Sequence, residues 1–134
     1  LLSTLASMIH PTALPEALSE AVSPGVRLAA LLTRSGMPIG IAGSESERAA
    51  TQITAIVSTL YHAHEKTPAD ANCGPLATLV IDCAEGRLAI KRVASFIICV
   101  AADTSVPFGL LKNKVEALHD FLQQKSQLHQ TRLS

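Results

Sequence analysis

The chain has no tryptophan, a single tyrosine and three phenylalanines in 134 residues. The aromatic platforms on which unpaired bases stack are therefore missing, so single-stranded nucleic acid is not an expected partner. Surplus charge is missing too. Eleven basic and 11 acidic side chains cancel, which leaves no general attraction for phosphate backbones or anionic bilayers. Cysteine is scarce and odd in number. Cys73, Cys83 and Cys99 show no CxxC spacing, so neither a disulfide framework nor a zinc site is expected, and the three read as reduced thiols of a cytosolic protein. The longest apolar run, Phe96 to Ala102, falls far short of the ~20 residues a membrane-crossing helix needs, which argues against direct membrane insertion. LLSTLASMI at the amino terminus lacks a basic start and a clear cleavage site and makes a poor signal peptide. With Leu1 first, the true start is expected to be missing or to lie at Met8.

What is present is ample core material. The apolar fraction is 48%, and the length suits one domain with a single core. Leu14, Ala17, Leu18 and Ala21 recur at helical spacing ahead of Pro24-Gly25, and Leu2, Leu5 and Ile9 allow a further turn or two before Pro11. VRLAALLT and the run from Met37 to Ala42, separated by Arg34-Ser35-Gly36, predict a hairpin. Pro38 assigns its second strand to a sheet edge. Ser44-Glu45-Ser46-Glu47 fits a capping box for a helix over about 45–64. After a Pro/Asp/Asn/Gly-rich loop (67–75) come three apolar segments, Leu76–Cys83, Arg87–Val93 and Ser95–Ala102, whose short connections predict an antiparallel meander. The first of these is nearly continuous in apolar residues, as though covered on both faces. Gly86 is expected to supply a positive φ in the turn between the first two. Thr104 or Ser105 caps a last helix with Pro107 in its first turn and Leu111, Val115, Leu118 and Leu122 on its apolar stripe. The order α-β-β-α-β-β-β-α predicts one α/β domain built on a five-stranded antiparallel sheet.

The middle helix carries the clearest functional signal. From Ala49 to His64 it has no Lys, Arg, Asp or Glu. On a helical wheel, Ala49, Ile53, Ile56, Val57, Leu60 and Tyr61 form the arc expected to face the sheet. Thr51, Thr54, Ala55, Ser58 and Thr59 form the opposite arc. Solvated helix faces normally carry charge, so this arc is either simply polar or packs against a second chain. An edge strand at Leu76–Cys83 that accepts a partner strand would agree with the second reading.

No catalytic constellation emerges. Cys83 lies between Asp82 and Glu85, which would raise rather than lower a thiol pKa, and it reads as a buried structural cysteine rather than the nucleophile of a small cysteine-dependent enzyme. His62 and His64 point about 160° apart on a helix, unlike the i, i+4 pairs that hold zinc. No GxGxxG or GxxxxGK[ST] pattern occurs, so no cofactor or metal is expected.

The run DCAEGRLAIKRVA (Asp82 to Ala94), the helix start FGLLKNK (Phe108 to Lys114) and MIHPTALPEALSEA (Met8 to Ala21) closely resemble a roadblock-family subunit of the Ragulator complex, the late-endosomal and lysosomal adaptor for MAPK and mTOR signalling. The resemblance covers about residues 8–124. It departs from the family in residues 1–7, in the proline-rich 67–75 loop and in the tail, and implies a roadblock domain over 8–128 flanked by an amino-terminal extension (1–7) and a tail (129–134). It implies a profilin-like roadblock fold with helices on both sheet faces and a non-catalytic scaffold that dimerises through its middle helix and third strand. Carried onto this chain, the interface would comprise Thr51, Thr54, Ala55, Ser58, Tyr61, His62, Leu76, Thr78, Val80 and Asp82. The implied partners are a second roadblock subunit, the roadblock-like domains of Rag-type GTPases and a lipidated membrane-anchoring Ragulator subunit, at the cytoplasmic face of the late endosome, lysosome or vacuole. A roadblock homodimer serving as a dynein light chain or a small-GTPase regulator is the alternative.

Overall fold

A computed structural model of the chain describes residues 13–65 and 74–133. The turn expected around Leu2, Leu5 and Ile9, the extension at 1–7, most of the 67–75 loop and Cys73 lie outside the described residues. Helix α1 (Ala13–Ala21) leads into the hairpin β1 (Val26–Thr33) and β2 (Pro38–Gly43), then α2 (Glu47–His64), the meander β3 (Leu79–Cys83), β4 (Gly86–Val93) and β5 (Phe96–Ala102), and finally α3 (Phe108–Leu133). The sheet order is β2-β1-β5-β4-β3, antiparallel throughout. Pro38 therefore begins an edge strand, as its missing N–H requires.

Composition explains which strands are central. Every residue of β5 is buried, and β1 is buried from Leu28 to Leu32, so these strands have both faces covered. Leu18, Leu31, Ile98, Val100, Leu111, Val115 and Leu122 pack on one face beneath α1 and α3. Leu28, Leu32, Val57, Tyr61, Ile90, Ile97 and Cys99 pack on the other beneath α2. Burying each large aliphatic side chain contributes about 1.5–3 kcal/mol relative to exposure.

Several local expectations are revised. The α2 cap is Ser46, whose Oγ accepts from the Ala49 amide at 3.1 Å; Ser44 instead donates its amide to the Arg27 carbonyl. Helix α3 starts one residue after Pro107, whose carbonyl accepts from Leu111 N, and its backbone stays helical to Leu133. The β3–β4 turn is Ala84-Glu85, with Cys83 and Gly86 paired across it. Gly86 is not among the glycines of positive φ. Its surroundings are tight instead: a Cβ there would meet the Arg27 guanidinium and lie 3.1 Å from the Ala102 carbonyl oxygen. That guanidinium reaches Glu45 and Asp103 at 3.5 and 3.4 Å and the Glu85 carbonyl at 3.4 Å, tying one end of the sheet together.

Candidate interaction surface

Strand β3 is half-buried at Leu79, Val80 and Ile81 and exposed at Asp82 and Cys83. The expectation that Leu76–Cys83 is covered on both faces fails for a topological reason: among the described residues β3 is the outer strand, bonded only to β4, and regular pairing begins at Leu79. Its free edge leaves a row of backbone donors and acceptors open to another strand. Leu76 and Thr78 lie just ahead of it, half-exposed. Lys91 holds this approach segment, donating from Nζ to the Ala77 carbonyl and the Thr78 hydroxyl at 3.2 and 3.3 Å. Arg92 is exposed and makes no ion pair among the described residues.

Helix α2 is rotated relative to the apolar wheel. Its buried residues are Ala50, Thr54, Val57, Ser58 and Tyr61. Thr54 is 1% and Ser58 6% exposed, whereas Ile56 is 53% exposed. The outward placement of Thr54 and Ser58, and the inward placement of Ile56, are thereby corrected; Tyr61 also faces the protein's own core. The physical reason is that both hydroxyls are satisfied internally. Thr54 donates to the Thr51 carbonyl at 3.0 Å and Ser58 to the Arg34 carbonyl at 2.7 Å, so neither needs water. Gly36 in the β1–β2 turn packs close to this pair, for a Cβ there would lie 3.1 Å from Ser58 Cβ, and its φ is +95°.

The outward arc is Thr51, Gln52, Ala55, Ile56, Thr59 and Ala63, with His62 at its margin. From Thr51 onward it is uncharged at neutral histidine, with Arg48 exposed on the same face one turn earlier, and its one large apolar side chain, Ile56, borders the half-buried Ile53 and Leu60. Ile53 and Leu60 of α2 and Leu79, Ile81 and Leu88 of the sheet all pack against the α2-side core while remaining only partly buried. The open β3 edge and the uncharged helix arc are thus flanked by one apolar set on one side of the sheet. Of the residues expected at an interface, Thr51, Ala55, His62 and Asp82 are exposed and Leu76, Thr78 and Val80 half-exposed. Asp82 is engaged within the chain, accepting from Arg87 Nε at 3.1 Å.

Cys83 is exposed and Cys99 buried. The reading of Cys83 as a core thiol is corrected, since it ends an edge strand at a turn. Cys99 is the core thiol, and burial pushes its pKa up to about 12. No group of His, Cys, Asp or Glu suited to a metal ion exists among the described residues, and none of their helices is long and apolar enough to cross a membrane.

Residues 16–102 match the Roadblock/LC7 domain as a sequence family. The chain belongs to the Roadblock/LC7 family. Solved roadblock structures share the fold at low identity. A Roadblock/LC7 domain from Streptomyces avermitilis is 18% identical, with a TM-score of 0.72 over 82% of this chain and 94% of that one. Myxococcus xanthus MglB is 16% identical, with a TM-score of 0.71 over 84% and 94%. An MglB described in a tetrameric arrangement is 14% identical, with a TM-score of 0.71 over 84% and 86%.

Proposed function

We infer that this roadblock protein is a non-catalytic scaffold subunit that pairs with a second roadblock subunit through the β3 edge and the outward arc of α2. In this reading the pair belongs to a Ragulator-like complex. It engages the roadblock-like domains of Rag-type GTPases at the lysosomal or vacuolar surface, for TORC1 and MAPK nutrient signalling, and a separate lipidated subunit supplies membrane attachment. The observation that carries the pairing is the open β3 edge beside an uncharged helix arc. The Ragulator assignment rests on the DCAEGRLAIKRVA and FGLLKNK resemblance. The physical work is burial of area at a composite interface, for which a stable complex needs about 1,200–2,000 Å². Co-expression with a Ragulator-type roadblock chain, followed by light scattering, tests it. A one-to-one heterodimer that binds a Rag-type roadblock-like domain is expected, and a clean monomer at micromolar concentration beside that chain overturns it.

A second reading keeps the surface and changes the partner: a homodimer serving as a dynein light chain or a small-GTPase regulator. It is favoured by the fold shared with MglB, one form of which is described as tetrameric. A homodimer of the chain alone that does not exchange with the second roadblock chain would select it.

A further inference from the structure

His62 occupies an unusual position at the end of α2. Its Nε2 lies 2.6 Å from the Arg34 carbonyl in the β1–β2 turn, and its Nδ1 lies 3.2 Å from Glu65 Oε1. A carbonyl oxygen only accepts, so Nε2 must carry a hydrogen for the first contact. A carboxylate also only accepts, so Nδ1 must carry one for the second. Neutral imidazole has one N–H and satisfies one of the two; only the imidazolium satisfies both. The surroundings fit the charged ring. Arg34 Nη2 contacts both Glu65 oxygens, at 3.1 and 2.8 Å, which holds the carboxylate in place. The Arg34 carbonyl is itself fixed by Ser58 Oγ.

We propose that His62 is a proton-operated latch: charged, it clasps the Arg34 carbonyl and the Glu65 carboxylate together and fastens the last turn of α2 to the β1–β2 turn; neutral, it releases Glu65. The groups that bear on it are Arg34 from the turn, Glu65 and the edge-on ring of Tyr61 from α2, and, across the cleft that Glu65 lines, Lys91 and Arg92 of β4 and His119 of α3. Arg34 opposes the imidazolium, but its charge is directed into Glu65. The Arg34 carbonyl contact, followed by Glu65, raises the His62 pKa above the ordinary imidazole value, against a smaller lowering by burial and by Arg34. A group whose folded pKa is raised contributes stability fully below its unfolded pKa of about 6.5 and loses it as pH rises through the folded value. The latch is therefore closed on the acid side and opens on the alkaline side. It requires no particular partner, and it adds a proton-dependent contact to the Ser58–Arg34 and Arg34–Glu65 contacts that already fasten that end of the helix.

Ring 15N–1H spectra of the whole chain from pH 5 to 9, with urea midpoints at pH 5.5 and 8.5, test the latch in the wild type, His62→Gln and Glu65→Gln. The expected results are a His62 midpoint above the ordinary value, both ring N–H signals below that midpoint, a downward shift in Glu65→Gln, and a smaller urea-midpoint difference between the two pH values in His62→Gln. A wild-type His62 that titrates at or below the ordinary value overturns the proposal whatever the variants do. So does an unchanged pH dependence in His62→Gln.

Discussion

Asp82 and Arg87 stand directly opposite each other across the β3–β4 hairpin, and Arg87 Nε donates to Asp82 Oδ1 at 3.1 Å. The arginine is held on two further sides. Its Nη1 donates to the Val106 carbonyl at 2.7 Å, and its guanidinium lies 4.0 Å from the centre of the Phe108 ring. One cation thus joins the hairpin to the entrance of α3, and two of the three stretches that carry the family resemblance meet at this point.

The three contacts are unequal, which makes the junction testable. Asp82 is largely in water, so its ion pair is worth at most about 1 kcal/mol. A charged donor to a buried carbonyl contributes about 1.5–3 kcal/mol, and the ring contact about 0.5–1 kcal/mol. Arg87→Ala should lower stability by about 2–3 kcal/mol in urea denaturation, and Asp82→Asn by less than about 1 kcal/mol. Arg87→Lys should recover only part of the loss, because an ammonium cannot donate to Asp82 and Val106 while lying flat on Phe108.

Two glycines near Arg27 should respond differently to alanine. At Gly43 a Cβ would meet the Arg27 backbone carbonyl at 2.1 Å, with φ at +136°. Neither the backbone nor that φ yields easily, so Gly43→Ala should cost more than about 3 kcal/mol or prevent folding. At Gly86 the nearest obstacle is the end of the Arg27 side chain, which can move at the expense of its contacts with Glu45, Glu85 and Asp103, and the Ala102 carbonyl oxygen 3.1 Å away adds a lesser one. Gly86→Ala should cost about 1–2 kcal/mol, and much of that should vanish in an Arg27→Ala background. Equal costs in both backgrounds would place the clash elsewhere.

These glycines also mark where sequence reading stops. Element order, the edge position of β2 and the central place of β5 follow from apolar runs, a proline and short connections, all of which are local signals. Gly86 looks like a turn residue because its reason, the approach of Arg27 from another strand, is not local. The rotation of α2 was hidden for a similar cause. A wheel that counts hydroxyls as polar puts Thr54 and Ser58 outside, but their hydrogen bonds are met by the Thr51 and Arg34 carbonyls. That leaves Ile56 outside as the best single indicator of an interface. The exposure of Cys83 follows from β3 being an outer strand, which its apolar composition conceals.

The two described cysteines should separate cleanly in thiol labelling. Cys83 is exposed and should react in the folded protein, so Cys83→Ser should remove a fast phase. Cys99 is buried, with its thiol pushed up to about 12. It should react only on unfolding, and Cys99→Ser should remove that slow, urea-accelerated phase. Because the folded pKa is raised, the neutral thiol contributes stability fully below the ordinary thiol range and loses it as pH climbs toward 12. Alkaline destabilisation should therefore be weaker in Cys99→Ser, measured as the change in urea midpoint between pH 8 and 10.

The decisive contrast for the proposed interface lies two positions apart on α2. Ile56 is more than half exposed and Thr54 essentially buried, so one charge tests association and the other tests folding. Ile56→Glu places a carboxylate in water on the outward arc and should change the stability of the isolated chain by no more than about 0.5 kcal/mol. In the complex the same carboxylate would be buried without a partner, which should weaken pairing at least tenfold, equivalent to about 1.4 kcal/mol. Thr54→Glu drives a carboxylate into the chain's own core and should lower the melting temperature or abolish folding even where no partner is present. Circular dichroism reads folding and light scattering reads pairing. A folded Ile56→Glu chain that still forms the wild-type complex would move the interface away from this face of α2 and leave the β3 edge to carry it alone.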